Sequence, residues 1–298
     1  MSGFSAIDLT KLNAPNVIEN ISFENILLEL IGELKSRDES FTALLESEPV
    51  VKLLEVVAYR EVLLRSRIND ACKAVMLAYA TDSDLDNLAA YFAVERQLVH
   101  PGDEDAIPPV PPTFESDDRL RKRTQLSLEG HSTAGPIGSY IFHALAVSPK
   151  VKDIDVASPE PGKVVITVLS ADGIGIPDDS LISLVEERLN SRDVRPLTDF
   201  VTVKKSSIID YEVEAELILY EGPDSDVVKQ TAINKVNDYV SQHHLLGNDI
   251  TLSGLYAALH QEGVQRVNLI KPSVDLVVSP DKAAWCNQVS VLVRGRDE

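Results

Sequence analysis

The sequence predicts an α+β chain: a helical N-terminal region followed by two small α+β modules with mixed or antiparallel sheets. Helical spacing of apolar residues dominates before residue 99, and a proline-rich acidic break covers residues 100–116. From Val151 onward, apolar runs of period two alternate with helical patterns. The expected organisation is a helical assembly region over 1–99, a Pro-rich linker over 100–116, a central α+β module over 117–207 and a C-terminal one over 208–298.

Composition bounds the function. With 298 residues, 44% hydrophobic and 25% charged, the chain has the composition of a soluble globular protein large enough for two or three compact units. A formal net charge of -19 opposes nucleic-acid binding, which needs clustered Lys and Arg to displace counterions from phosphate. Cys72 and Cys286 lie far apart and show no zinc or disulfide spacing, which fits a reducing compartment. The N-terminus lacks the basic and apolar regions of a secretory signal, and no segment reads as a membrane span.

The first 20 residues are polar and read as an arm that orders on a neighbour. A helix follows with Ser22 as N-cap and Ile26, Leu27, Leu30, Ile31 and Leu34 at helical spacing. Phe41, Leu44 and Leu45 suggest a short second helix before Pro49. From Val50 to Ala78, the residues Val50, Leu54, Val57, Leu64, Ile68, Ala71, Val75 and Ala78 step four-three-four-three, broken at Glu61. A straight helix of that length reaches about 44 Å. Leu53, Val56, Val62 and Leu63 add apolar surface on other faces, so this helix needs more than one partner. The candidate partner interface is Ile26, Leu27, Leu30, Ile31, Leu34, Leu54, Val57, Leu64 and Ile68; the short N-terminal helices of the same chain are the competing cover.

Asp82, Asp84 and Asp86 form a carboxylate cluster, but position six of an EF-hand counted from Asp82 is Asn87 and position twelve is Ala93, so calcium is not expected. The better reading is an acidic helix start with Leu85, Leu88, Ala89 and Phe92 turned inward. Five prolines within residues 100–116 favour a stiff polyproline segment or a loop laid on a neighbour. A charged helix then runs from Asp117 to Leu128 and stops at Gly130; a polar turn and a helix from Pro136 to Ala146 follow.

Strands at 150–157 and 163–170 predict a hairpin, followed by helix 178–190 and strand 200–204. In the strand 208–220, Glu212, Glu214 and Glu216 alternate with Val213, Ala215, Leu217 and Leu219, a solvated face against a core face. Lys204 and Lys205 are the expected counter-charges for that acidic row. Helices at 224–243 and 253–261 and strands at 264–270 and 288–293 complete the chain.

Gly130-His131-Ser132-Thr133-Ala134-Gly135 resembles a nucleophile elbow, but its closing glycine comes one residue late and a charged helix precedes it. A serine hydrolase using Ser132 and a ferredoxin-like small-ligand regulatory module are the alternative functions. His143, His243, His244 and His260 form no expected triad or metal clamp, and no phosphate-loop, dinucleotide or zincin motif is present. No catalytic residue, metal or cofactor is expected.

One resemblance covers most of the chain. Asp84-Leu85-Asp86-Asn87-Leu88-Ala89, Arg96, Asp118, Arg121 and Arg123, then Ser132 to Gly135, Tyr140, Ala144, Leu145 and Val147, then Arg195-Pro196-Leu197-Thr198-Asp199 and Gly263-Val264 occur in an order that resembles the baseplate J-like family. That resemblance implies a non-enzymatic wedge subunit of a contractile phage tail or related injection particle. It also implies assembly with other wedge proteins and a second copy of the same chain, in the virion tail baseplate, after assembly in the host cytoplasm. A role in the rearrangement that triggers sheath contraction is implied as well. Neither nucleic acid nor membrane is an expected partner.

Overall fold

The structure is a computed structural model that describes residues 7–13, 15–38, 40–41, 45–130, 135–222 and 224–296. The chain forms two compact units: Ala6–Arg96 with Ser116–Thr124, and Gln97–Glu115 with Gln125–Glu298.

The first unit is helical. Helix α1 (Phe23–Arg37) begins at Ser22, whose hydroxyl accepts from Asn25 N at 3.3 Å, and α2 (Pro49–Ala74) begins with proline where a free N–H is not needed. Just before α1, Glu19 N donates to Asn69 Oδ1 at 3.0 Å and Asn69 Nδ2 returns a bond to Glu19 O at 2.9 Å. This pair ties the start of α1 to the last turns of α2, so the two helices run antiparallel. Ile26 is the buried residue of α1, and Val51, Ala58 and Asn69 are those of α2. The short helix expected around Leu44 falls partly on residues 42–44, outside the described residues.

The α2 helix ends at Ala74 rather than Ala78, and residues 76–80 form turns closed by Tyr79 N and Ala80 N bonding Met76 O. Beyond that stop, Arg121 Nε donates to Leu77 O and Nη2 to Ala80 O, both at 2.8 Å, so two carbonyls of the turns that follow α2 are satisfied without a continuing helix. Helix α3 (Asp82–Ala90) has Thr81 at its N-cap, not an aspartate; Asp82 and Asp84 occupy its first turn, while Leu85 and Ala89 are fully buried.

In the second unit, the proline-rich segment is not a polyproline linker. Strands β1 (Leu98–His100) and β2 (Thr113–Phe114) pair antiparallel, and Asp103 and Val110 exchange backbone hydrogen bonds of 2.8 and 2.9 Å between them. The physical reason is Val110. Alone among residues 108–112 it keeps an N–H, and it spends that donor on Asp103 O. Gly102 adopts φ +79 beneath it, where a Cβ would lie 2.5 Å from Val110 O.

The last turns of α4 (Asp117–Gly130) and α5 (Ile137–Val147) pack with the sheet β3 (Val151–Glu160), β4 (Lys163–Ser170), β5 (Phe200–Lys205). The β3–β4 pair is antiparallel and β4–β5 parallel, because α6 (Asp179–Leu189) makes the crossover. Leu126, Tyr140, Ile166, Val168, Val185 and Leu189 lie in its core.

The last module is a sheet of order β7-β6-β8, from β6 (Ser207–Leu219), β7 (Val264–Lys271) and β8 (Lys282–Arg296), with α7 (Ser225–His243) and α8 (Leu252–Leu259) between β6 and β7. Period two holds along β6: Val213, Ala215, Leu217 and Leu219 are buried. The glutamate row is neutralised by flanking strands rather than by Lys204 and Lys205. Lys271 of β7 lies 2.9 Å from Glu212 and 3.6 Å from Glu214, and Arg294 of β8 lies 2.6 Å from Glu216. Lys204 and Lys205 pair instead with Asp281 and Asp179.

His244, at the C-cap of α7, is buried with Nδ1 2.7 Å from Ala284 O, which makes Nδ1 the protonated nitrogen. Burial pulls its pKa below the ordinary 6.5, the Ala284 carbonyl opposes this, and Lys152 adds to it. A depressed folded-state value means a stabilising contribution that is complete above pH 6.5 and lost as pH falls through the folded value. The stability advantage of the wild type over His244→Asn, from urea titrations at pH 5 to 8, is therefore constant at high pH and shrinks on acidification. An advantage growing toward acid reverses the sign and defeats this assignment.

Candidate interaction surface

Helix α2 has three faces, and the first unit covers one. The covered face carries Val51, Ala58 and Asn69; at 100° per residue it lies roughly 120° round the helix from the mean direction of Leu53, Val57, Leu64 and Ile68. Those four residues are exposed, Leu64 at 62% and Ile68 at 58%. Val56, Tyr59 and Leu63 extend the apolar surface along the next flank, with exposed Arg60 and Arg67 between the two rows. Large apolar side chains aligned on one helix face and open to solvent mark a surface for a partner.

The candidate interface residues divide accordingly. Ile26, at 5% exposure, is buried within the chain. Leu27, Leu30, Ile31, Leu34 and Leu54 are half-buried, while Val57, Leu64 and Ile68 are open. Tyr59 and Leu28 were not singled out by periodicity; Leu28 lies on the side of α1 away from Ile26 and is exposed. The break at Glu61 is filled by an ion pair, since Arg65 Nη2 lies 2.6 Å from Glu61 Oε1 while Arg65 Nη1 reaches Glu19 at 3.3 Å.

The motif residues converge into two clamps rather than a reactive site. In the first unit, Arg96 Nε donates to Asp86 Oδ1 at 2.6 Å and Nη2 to Asp117 Oδ1 at 2.7 Å. Asp117 Oδ2 accepts from Asp82 N at 3.1 Å, and Arg123 Nη1 donates to Glu95 O at 3.1 Å. These bonds fasten α3 and the turn after it to the start of α4. Partial burial pushes the Asp117 carboxyl up, but the Arg96 and Asp82 N–H hydrogen bonds, with the charges of Arg96 and Arg121, together hold the pKa below 3.8.

The second clamp is in the other unit. Tyr140 Oη donates to Asp199 Oδ2 at 2.7 Å, and burial together with that carboxylate raises the phenol above its ordinary range. Gly135 sits at φ +67 where a Cβ would meet Pro196 at 2.5 Å and Asp199 Oδ2 at 3.2 Å. Thus Gly135 and the Pro196–Asp199 segment close on one another.

Two of the other candidate reactive groups, His143 and His243, are held in structure. Arg188 Nη2 lies 3.4 Å from His143 Nδ1, and the His243 ring stacks on Tyr239 with Nδ1 2.9 Å from Tyr239 O. Ser132 lies outside the described residues, as do His131, Thr133 and Ala134. No group of three or more metal-ligating side chains occurs among the described residues, and no described helix is long and apolar enough to cross a membrane.

Three family models match the chain in order: the baseplate J-like N-terminal domain over residues 46–103, the central domain over 132–205 and the C-terminal domain over 211–292. The chain is 44% identical over 299 residues to baseplate protein J of Escherichia phage P2, an alignment spanning 98% of this chain and 99% of that protein. Among solved structures it is similar to a chain of the anti-feeding prophage baseplate, at 17% identity and a TM-score of 0.41, covering 64% of this chain and 44% of that one.

Proposed function

The chain belongs to the baseplate J-like family and is on that ground a baseplate protein, and from this premise we propose that it is a structural wedge subunit of a contractile phage tail or related injection particle. Its partners are other wedge proteins and a second copy of itself. The virion tail baseplate is its location, reached after assembly in the host cytoplasm.

The observation that carries this reading is the open stripe of α2. Leu53, Val57, Leu64 and Ile68 face away from the helix's own intrachain contacts, which leaves an amphipathic helix half covered. A neighbouring helix laid along that stripe completes a bundle and contributes the hydrophobic term that the isolated chain forgoes. The α+β modules then serve as rigid bodies gripping adjacent subunits, and a change in those interfaces accompanies the rearrangement that releases the sheath. Family membership implies a structural rather than catalytic protein, and no reaction is assigned.

Size-exclusion chromatography with light scattering tests this, on the chain alone and co-expressed with the proteins encoded beside it. The expected result is a stable hetero-oligomer containing another tail protein. A monomer that ignores every neighbour rejects the wedge assignment.

A further inference from the structure

We infer that the hairpin of residues 98–114 is a preformed finger that inserts Ile107 into an apolar, cationic-rimmed pocket on a baseplate protein other than this chain. Two-stranded ribbons are marginal in water unless one face is covered. Here both faces are open: Leu98, Val99, Val110 and Phe114 are each exposed, and Ile107 at the tip is 100% exposed. The ribbon is nonetheless tightly built. Gln97 N donates to Glu115 Oε1 at 2.9 Å at its base, Gly102 N to His100 Nδ1 at 2.9 Å in the middle, and Asp105 N to Asp103 Oδ1 at 3.0 Å below the tip. A fixed loop that presents one large apolar side chain to solvent gives up little conformational entropy when that side chain is buried.

Charge selects the occupant. Residues 97–118 contain no Lys or Arg, and Asp103, Glu104 and Asp105 stand beside the tip. The complementary surface is therefore apolar at its centre and basic at its rim. A second copy of this chain, with a net charge of -19, meets the finger with like charge. An anionic lipid surface repels it for the same reason. The inference draws on the baseplate reading for its neighbours but concerns a different surface from the α2 stripe.

The test installs the photo-crosslinker p-benzoylphenylalanine at Ile107 in the full chain, co-expressed with the proteins encoded beside it, with a parallel probe at Leu64 on α2. The expected product at position 107 is a crosslink to another tail protein, mapped by mass spectrometry to an apolar site flanked by Lys or Arg. Changing Glu104 and Asp105 to lysine, which leaves the Asp103 carboxylate bond in place, lowers its yield at least fivefold, while circular dichroism is unchanged. Crosslinks at Leu64 but none at Ile107 overturn the finger and leave the bundle standing. Crosslinks at Ile107 to a second copy, or co-sedimentation of the chain with phosphatidylglycerol vesicles, overturn the choice of partner. Crosslinks at neither position sink both readings.

Discussion

Leu64→Asp with Ile68→Asp abolishes hetero-oligomer formation while leaving the chain folded. Both side chains are more than half exposed, so the aspartates remove little intrachain packing; each costs about 0.5 kcal/mol in helix propensity. In a bundle the same positions are central and desolvated. Truncating one anchor of that kind costs about 2 kcal/mol or roughly 30-fold in affinity, and a buried, unpaired carboxylate costs more. Ala58→Asp is the contrast. Ala58 is 0% exposed on the face α2 turns toward its own chain, so a charge there has neither room nor partner, and the first unit unfolds. Light scattering of the co-expressed complex, with thermal melts of the isolated variants, separates the two cases. Survival of the oligomer in the double variant removes the α2 stripe from the interface.

The second large effect is on stability. Arg121→Met keeps the bulk of the side chain but deletes the donors that satisfy Leu77 O and Ala80 O, together with the 2.7 Å pair to Asp118. Hydrogen bonds from a charged donor contribute about 1.5–3 kcal/mol each, and orphaned carbonyls are penalised further, so the first unit loses about 3 kcal/mol. That is a large part of the stability of an ordinary domain. Arg121→Lys recovers only a fraction, because an ammonium does not span both carbonyls with the fixed geometry of a guanidinium. Denaturant titrations of the three proteins decide the matter: a loss below about 1 kcal/mol in Arg121→Met, or full rescue by lysine, rules out the clamp. The expected effect also shows why a strongly charged motif carries no chemistry here. Arg96, Arg121 and Arg123 are committed to carbonyl and carboxylate acceptors that close the chain on itself.

Much of the proposed interaction surface is readable from spacing. Val57, Leu64 and Ile68 recur on one face of α2, and Val56 and Leu63 announce that the helix is apolar on more than one side. Periodicity does not say which of those faces the chain reserves for itself. That choice rests on Glu19 meeting Asn69 across 50 residues, and on Ile26 being the position of α1 that becomes buried.

The sequence by itself determined the order of helices α1 to α8 and of strands β3 to β8, the switch from helical to period-two patterning, and the two sides of β6. These are local properties: a side chain's direction follows from its backbone period, and burial of the apolar set is then the single favourable outcome. Tertiary structure alone decided the partners. It paired the glutamate row with Lys271 and Arg294 instead of Lys204 and Lys205, folded residues 98–114 into a hairpin with the Val110 N–H bonded to Asp103 O, and brought Arg121 to the carbonyls of Leu77 and Ala80 in the turns after α2. Each of these joins residues that lie apart in the chain, and a local pattern carries no information about which distant donor arrives first at an unsatisfied acceptor.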